Sequence, residues 1–136
     1  MNDFQFNQHH KEMSCGWRCL HYVIPEQMSY EQFLDQFKYL RPGKRGITFK
    51  MMTSVLDYYN TDYLFTIPRK RGLYIIWAGQ FSWPTYKHPI GHYFIYHDEM
   101  ILNSLDHKPV YCSILGLRKM LETKDSSKHY IALQIQ

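Results

Sequence analysis

The 136-residue chain is predicted to form one α+β domain in which N-terminal helices pack on a mainly antiparallel β-sheet. Residues 14–60 carry apolar side chains at helical spacing, whereas residues 62–135 carry short aromatic and β-branched runs typical of strands. These patterns are segregated rather than alternating, which argues against a doubly wound parallel sheet. The length suits a single domain, residues 1–136, and is short for two.

Three helices are expected in the first half, each after a residue whose side chain can cap its N terminus. These caps are Ser14, Ser29 and Thr48. The first helix must end near Ile24, because Pro25 disfavours helical geometry in the residue before it. Ser29 also forms a capping-box pattern with Gln32, which strengthens the second start.

Five strands and a fourth helix are expected in the second half. The strand patterns cover residues 62–67, 73–78, 92–96, 100–105 and 129–135. Residues 113–122 are predicted to be helical, although Gly116 weakens that helix by about 1 kcal/mol relative to Ala. Residues 80–89, "QFSWPTYKHP", are predicted to be a loop.

Composition and charge argue against several classes of protein. The net charge of +4 has two basic clusters, Lys44–Arg45 and Arg69–Arg71, and both lie at turns, so nucleic-acid binding is not expected. No signal sequence and no apolar run of about 20 residues is visible, so membrane partners are not expected either. Three cysteines without a signal sequence predict free thiols in the cytoplasm. We expect a monomer.

Cys15 is the first candidate for chemistry. It lies at the predicted first turn of a helix, where the peptide dipoles favour a thiolate and should lower the pKa of the thiol. Cys19 lies one turn further in and lacks this advantage. Gly16 would let a substrate carbonyl approach the backbone, as an oxyanion site requires. The alternative is that both cysteines are small core residues.

A nucleophilic thiol needs a base and a group that orients the base, and "GHYFIYHDEMILNSLD" offers both. If Asp98 and Glu99 are the central residues of a hairpin turn, paired positions sum to 197. His92 and Asn103 then become diagonal neighbours on one face. Asp106 would point to the other face, and a slip of one residue would exchange the two candidates.

The oxyanion also needs a donor, and the segment before Cys15 offers Gln8, His9 and His10. The amide of Gln8 is chemically the most suitable, because it donates a hydrogen bond at any pH. The alternative is that all three side chains belong to a frayed polar terminus.

The chain resembles a papain-fold cysteine protease, most closely the Josephin domain of deubiquitinases, in three stretches: "SCGWRCL", "GITFKMMTSVLDYYNTDYLF" and "GHYFIYHDEMILNSLD". The resemblance implies Cys15 as nucleophile, His92 as its base and Asn103 as the orienter of the base. It also implies a Cys15 thiolate paired with the His92 imidazolium, no metal or cofactor, and cleavage after the C-terminal Gly of ubiquitin or a similar modifier.

Two departures from the Josephin pattern leave the substrate open. The family's oxyanion glutamine stands at the position of His10, whereas Gln8 lies seven residues before Cys15. The family's long helical arm is also missing. Peptidase domains that trim double-Gly bacteriocin leaders are similar to the same motifs, and a viral or other precursor-processing protease is a further possibility. Either substrate needs a narrow aromatic slot, for which Trp17, Tyr93 and residues 80–89 are candidates.

Two other functions compete with hydrolysis. The same groove could belong to a catalytically silent module that binds ubiquitin or a peptide, and the irregular position of Gln8 is the support for this. A zinc site could use Cys15 and Cys19 with His9, His10 or His21, but the usual Cys-x-x-Cys knuckle is absent.

Overall fold

The computed structural model describes residues 1–9, 11–42, 44, 46–79, 81–83, 86–88, 91–122 and 130–136, with backbone only at 81–83 and 86–88. Its helices in these ranges are α1 (Cys15–Val23), α2 (Tyr30–Gln36), α3 (Phe49–Tyr58) and α4 (Ile114–Leu121), with a 3₁₀ turn at Lys38–Leu40. Its strands are β1 (Tyr63–Phe65), β2 (Leu73–Ala78), β3 (Phe81–Trp83), β4 (Tyr86–His88), β5 (His92–His97), β6 (Met100–Leu102), β7 (Val110–Tyr111) and β8 (Tyr130–Ile135). The α+β class is confirmed.

The local signals at the ends of the second and third helices operate as predicted. The Ser29 hydroxyl accepts the Gln32 N–H at 3.1 Å while the Gln32 side chain accepts the Ser29 N–H at 2.9 Å, which completes the capping box. Thr48 caps α3 by accepting the N–H of Met51 at 3.2 Å. The first helix ends before Ile24, whose backbone is extended ahead of Pro25 as expected.

Within the described residues, six strands form one sheet in the order β1-β8-β2-β5-β6-β7, and every neighbouring pair is antiparallel. The β5–β6 ladder pairs Ile95 with Leu102 and His97 with Met100, so paired positions sum to 197 as predicted. Asp98 and Glu99 both have positive φ, 49° and 65°, which is the geometry of a tight two-residue hairpin turn.

Helices cover both faces of this sheet. On one face α1, α2 and α3 bury the odd-numbered side chains of the central strands, among them Ile75, Tyr93 and Ile95. On the other face Leu117 and Leu121 of α4 pack against the even-numbered side chains. The central strands are therefore apolar on both sides. None of the helices in the described ranges has the length and apolar character needed to cross a bilayer.

Three sequence predictions need correction. Residues 80–89 are not a plain loop, since β3 and β4 pair there as a small separate hairpin. The strand predicted over 100–105 ends at Leu102, because the chain turns at residues 104 and 105. The short strand Val110–Tyr111 was not predicted. The first residue of the strand predicted over 129–135 lies outside the described residues.

Candidate active site

Cys15 is the first residue of α1, so its side chain lies at the N-terminal turn as predicted. The prediction that Ser14 caps this helix is wrong. The Ser14 hydroxyl instead donates to Glu12 Oε2 at 3.2 Å and accepts from Arg18 Nε at 3.0 Å. The backbone N–H groups of the first turn of α1 are therefore left to acceptors other than Ser14.

The Cys15 sulfur lies near backbone N–H groups. Those of Gly16, of Cys15 itself and of Tyr93 in β5 act to lower the pKa of the thiol, so the sulfur is close to the start of β5. This approach requires a glycine at position 16, because a Cβ there would overlap Cγ2 of Ile47 and press on the Tyr93 ring. Close packing therefore explains why position 16 is a glycine.

His92 is the first residue of β5 and is only 5% exposed. Its Nε2 lies 3.0 Å from Oδ1 of Asn103, which follows the last residue of β6. The two side chains are the diagonal neighbours that the hairpin register predicted. The backbone of Asp106, the other candidate, donates to the Asn103 carbonyl at 2.9 Å, so the turn carries Asn103 and Asp106 together.

The hydrogen bonds of Asn103 determine the tautomer of His92. Oδ1 of Asn103 also accepts the backbone N–H of Leu105 at 3.0 Å, and a backbone N–H can only donate, so this atom is the amide oxygen. Nε2 of His92 must then be the donor to that oxygen. In a neutral ring this leaves Nδ1 as the basic nitrogen. The amide therefore fixes both the orientation and the tautomer of the imidazole.

The amide nitrogen of Asn103 is one of four buried side-chain polar atoms that have no hydrogen-bond partner within the described part of the chain. A buried donor without an acceptor costs about 1–3 kcal/mol. At this position the free donor lies beside the His92 ring and is available to a bound group.

Gln8 is tied to the same turn from the other side. Its backbone N–H donates to the Ser104 carbonyl at 2.6 Å, and its Oε1 accepts the Ser104 hydroxyl at 2.8 Å. Asn7 extends the pairing by donating its N–H to the Asp106 carbonyl at 3.0 Å. Residues 7 and 8 are therefore an ordered part of the structure, and the frayed-terminus alternative does not hold for them.

Two hydrogen bonds fold the chain between Gln8 and Glu12 back on itself, which shortens the path from Gln8 towards Cys15. The Glu12 N–H donates to the His9 carbonyl at 2.9 Å, and Gln8 Nε2 donates to the Glu12 carbonyl at 2.9 Å. The His9 side chain is engaged elsewhere, since its Nδ1 accepts the N–H of Lys11 at 3.2 Å. His10 lies outside the described residues. An amide nitrogen has two protons, and the Glu12 carbonyl accepts one of them.

Burial controls the electrostatics of the pair. It raises the pKa of the Cys15 thiol, and the backbone N–H groups and the Arg18 charge offset this only in part. The prediction of a lowered thiol pKa is therefore wrong, because desolvation outweighs the helix dipole. Burial also lowers the pKa of His92 to about 4, against the opposing effect of the Asn103 hydrogen bond. Both directions favour a neutral thiol beside a neutral imidazole at pH 7, not the predicted ion pair.

The end of the β5–β6 ladder explains why the polar groups gather here. The β5–β6 ladder pairs Ile95–His97 with Met100–Leu102, so Asn103 and the turn that follows lie just beyond its end. That turn and the N-terminal turn of α1 both approach the first residues of β5. Sequence patterns could predict the hairpin turn but not this convergence.

Two residues beside the site carried no recognised sequence signal. Trp77 packs its indole against Gly91, so closely that a Cβ on Gly91 would overlap the ring. Gly91 immediately precedes His92, and the "GH" pair was the available clue. Arg18 is the second, and its contacts are described below.

The predicted aromatic walls are partly wrong. Trp17 is 0% exposed and packs against Phe33 and Phe37 in the core. Tyr93 is 7% exposed, and its hydroxyl donates to the Ile47 carbonyl at 2.8 Å. Neither can line an open slot. The side chains of residues 80–89 lie outside the described residues.

The residues proposed for zinc do not form a site in the described part of the chain, where no group of three or more His, Cys, Asp or Glu side chains could hold a metal. Cys19 is fully buried, and Nε2 of His21 is engaged with the Met28 carbonyl at 2.8 Å. Comparison with known proteins adds no family. No protein-family model matches the chain, and no curated protein matches it significantly.

Proposed function

We propose that this protein is a papain-like thiol hydrolase that cleaves a peptide or isopeptide bond, with Cys15 as nucleophile, His92 as base and Asn103 as the group that orients the base. One observation carries the proposal. The His92 ring is hydrogen-bonded to Asn103 at 3.0 Å, and the backbone N–H of Tyr93, the next residue along β5, is near enough to the Cys15 sulfur to lower the pKa of the thiol. A thiol, an imidazole and an amide that orients the imidazole in one neighbourhood are what the proposed mechanism needs.

The pKa directions favour general-base activation over a preformed ion pair. Nδ1 of His92 takes the thiol proton as the sulfur attacks the substrate carbonyl, and a tetrahedral intermediate forms. The imidazolium then protonates the leaving amine, the C–N bond breaks, and an acyl-enzyme remains. His92 next takes a proton from water, which attacks the thioester and releases the acid and the Cys15 thiol.

Gln8 is the proposed side-chain donor to the oxyanion, together with the Cys15 backbone N–H. The support is the turn at residues 9–12, which compensates for the unusual separation of Gln8 from Cys15. An oxyanion donor of this type contributes about 3 kcal/mol to transition-state stabilisation.

The proposed substrate follows from the sequence resemblance. It is a bond after the C-terminal Gly of ubiquitin or a similar modifier, and the runner-up is a precursor or double-Gly leader. The close packing of Trp77 on Gly91 beside His92 supports a narrow approach suited to glycine. We also propose a monomer in a reducing, cytoplasmic compartment, because Cys15, Cys19 and Cys112 are free thiols.

The test is a panel of ubiquitin-type and double-Gly leader substrates, with release of the C-terminal fragment measured by mass spectrometry. Cleavage by the wild type must disappear in Cys15→Ala and persist in a gentler Cys19→Ser control, whose site is one turn deeper. Cleavage of the double-Gly leader substrates alone would show that the protein is a leader peptidase and not a deubiquitinase. Cleavage that survives Cys15→Ala would refute the thiol mechanism.

A silent binding module is the second candidate, and the neutral thiol and imidazole favour it. Binding without cleavage would show as saturable association of mono-ubiquitin or a leader peptide with the wild type, measured by calorimetry, and unchanged association in Cys15→Ala. Turnover of any panel substrate would exclude it.

A further inference from the structure

Arg18 joins three parts of the chain around the N-terminal turn of α1. Its Nη1 donates to the carbonyls of Gln5 at 3.1 Å and Phe6 at 2.9 Å. Its Nη2 donates to Glu12 Oε2 at 3.1 Å, and its Nε donates to the Ser14 hydroxyl at 3.0 Å. The Arg18 side chain is 11% exposed, so these are enclosed, charge-assisted contacts.

The first consequence concerns Gln8. Arg18 binds the main chain at Phe6, two residues before Gln8, and Ser104 binds the main chain at Gln8 itself. The N-terminal segment is therefore held at two points, one on α1 and one on the turn after β6. The side chain of Gln8 is consequently held in a defined position relative to α1, the helix that carries Cys15.

The second consequence concerns the uncapped first turn. A serine before a helix normally accepts one of the first N–H groups. Here Arg18 and Glu12 engage the Ser14 hydroxyl, and the backbone of Ser14 (φ −107°, ψ 3°) is not in the extended conformation typical of a cap. The first-turn N–H groups therefore have no side-chain cap from Ser14, and those of Cys15 and Gly16 act to lower the pKa of the Cys15 thiol.

We propose that Arg18 is a positioning residue of this site: its guanidinium keeps Ser14 from capping α1 and fixes the segment that carries Gln8. The inference rests on the proposed function and deepens it. Its charge lowers the pKa of Cys15 from a distance. Its hydrogen bonds are made to other groups, so its positioning effect acts through Ser14 and Gln8, and the Ser14→Ala rescue below separates this effect from the charge. Its shape matters as well as its charge, because four acceptors lie in directions that a planar fork can satisfy and a lysine ammonium cannot.

The first experiment measures the alkylation of Cys15 by iodoacetamide against pH in Arg18→Lys and Arg18→Met, with Arg69→Lys as an exposed arginine control. In Arg18→Met we expect the profile to move by about one pH unit to higher pH, which is about tenfold slower alkylation at neutral pH. The alkylation profile of Arg18→Lys should lie between those of the wild type and Arg18→Met. Profiles that coincide with the wild type, in variants with native circular dichroism, would overturn the proposal.

The second experiment is a rescue that a merely structural role would not produce. In Arg18→Met the Ser14 hydroxyl is released and competes with the sulfur for the first-turn N–H groups. Removing that hydroxyl in Arg18→Met/Ser14→Ala should restore part of the lost alkylation rate. A double variant that is no faster than Arg18→Met would contradict the capping half of the proposal.

Hydrogen exchange at the backbone N–H of Gln8 tests the second half of the proposal, that Arg18 fixes the segment that carries Gln8. Exchange should accelerate roughly tenfold or more in Arg18→Lys and stay at the wild-type rate in Arg69→Lys. Unchanged exchange in Arg18→Lys would show that Ser104 alone holds the segment. None of these measurements needs a substrate, so a wild type that cleaves nothing would refute the proposed function without affecting them.

Discussion

The two ends of β5 each present a histidine with a polar partner, yet they are built differently. His92 is 5% exposed and bonds to the neutral amide of Asn103 at 3.0 Å. The His97 side chain is 29% exposed, accepts or donates a hydrogen bond with the Tyr22 hydroxyl at 2.8 Å, and lies 3.7 Å from the Asp98 carboxylate. The ladder with β6 is complete at His97 and absent at His92.

This difference teaches what converts a strand histidine into a candidate base. A neutral amide fixes the ring without adding a charge, and burial keeps that ring unprotonated. The His97 ring instead lies beside the Asp98 carboxylate and is more exposed to solvent. The Cys15 sulfur also lies near the His92 end of β5, so the proposed base and the proposed nucleophile are neighbours in the chain's fold at that end.

The largest expected effect separates the two histidines by activity. His92→Ala should lower kcat/KM by about a thousandfold or more, because it removes the base. His97→Ala should retain activity within about threefold, since it removes only a surface contact. The measurement is steady-state hydrolysis of whichever panel substrate the wild type cleaves. Equal losses in the two variants would remove the distinction between the strand ends.

The free energy of unfolding should also depend on pH because His92 is buried in the folded protein. The folded-state pKa of His92 is about 4, below its ordinary value of 6.5, so the folded protein binds fewer protons there than the unfolded chain. The corresponding stability is fully present above pH 6.5 and is lost as the pH falls towards 4. It amounts to about 3 kcal/mol.

Urea unfolding of the wild type and His92→Gln between pH 4 and 7 measures this contribution. The stability difference between the two proteins should change with pH by that amount, whereas His97→Gln should follow the wild type. A pH-independent difference for His92→Gln would show that His92 is not kept neutral by burial.

Asn103→Asp tests the importance of a neutral orienter. The new carboxylate should raise the pKa of His92 and favour an imidazolium, so the acidic limb of the activity profile should move to higher pH. Asn103→Leu should instead lower kcat by tenfold to a hundredfold because it releases the ring, and should move that limb to lower pH, because the hydrogen bond that raises the pKa of His92 is lost. Identical profiles for both variants would contradict the assignment of Asn103.

The smallest effects concern the glycines near the two strand ends. Gly91→Ala should destabilise the protein by about 1–3 kcal/mol, because the new methyl group overlaps the Trp77 indole. Gly72→Ala, whose residue has φ +121° and donates its N–H to Asp98, should cost about 1–2 kcal/mol through backbone strain. Gly46→Ala, where Met13 alone is near, is the neutral control. Thermal unfolding measures all three.

The parts of the fold that could be predicted depend on local signals. The Asp98–Glu99 turn determined the β5–β6 register, and this register together with the turn after β6 brings His92 next to Asn103. The Ser29 capping box likewise needed only neighbouring residues. Such local features are present in the folded protein because the tertiary contacts favour the same conformations.

The parts that could not be predicted depend on main-chain atoms distant in sequence or on which of two opposing electrostatic effects is larger. Arg18 binds carbonyl oxygens of Gln5 and Phe6, and carbonyls are present at every residue, so no sequence pattern marks the partners. The pKa of Cys15 depends on whether the helix dipole or burial is larger, and the extent of burial is known only from the packed structure.

The turn between β5 and β6 limits how far this protein can be improved by ordinary hairpin engineering. Replacing Asp98 and Glu99 with Asn-Gly would relieve two residues of a costly conformation. However, Oδ1 of Asp98 accepts the Gly72 N–H at 2.9 Å, and Oε2 of Glu99 accepts the Ile114 N–H at 3.0 Å. Asparagine keeps an oxygen that can accept the Gly72 N–H, but glycine at position 99 leaves the first N–H group of α4 without its acceptor. A better isolated hairpin would therefore hold α4 less firmly.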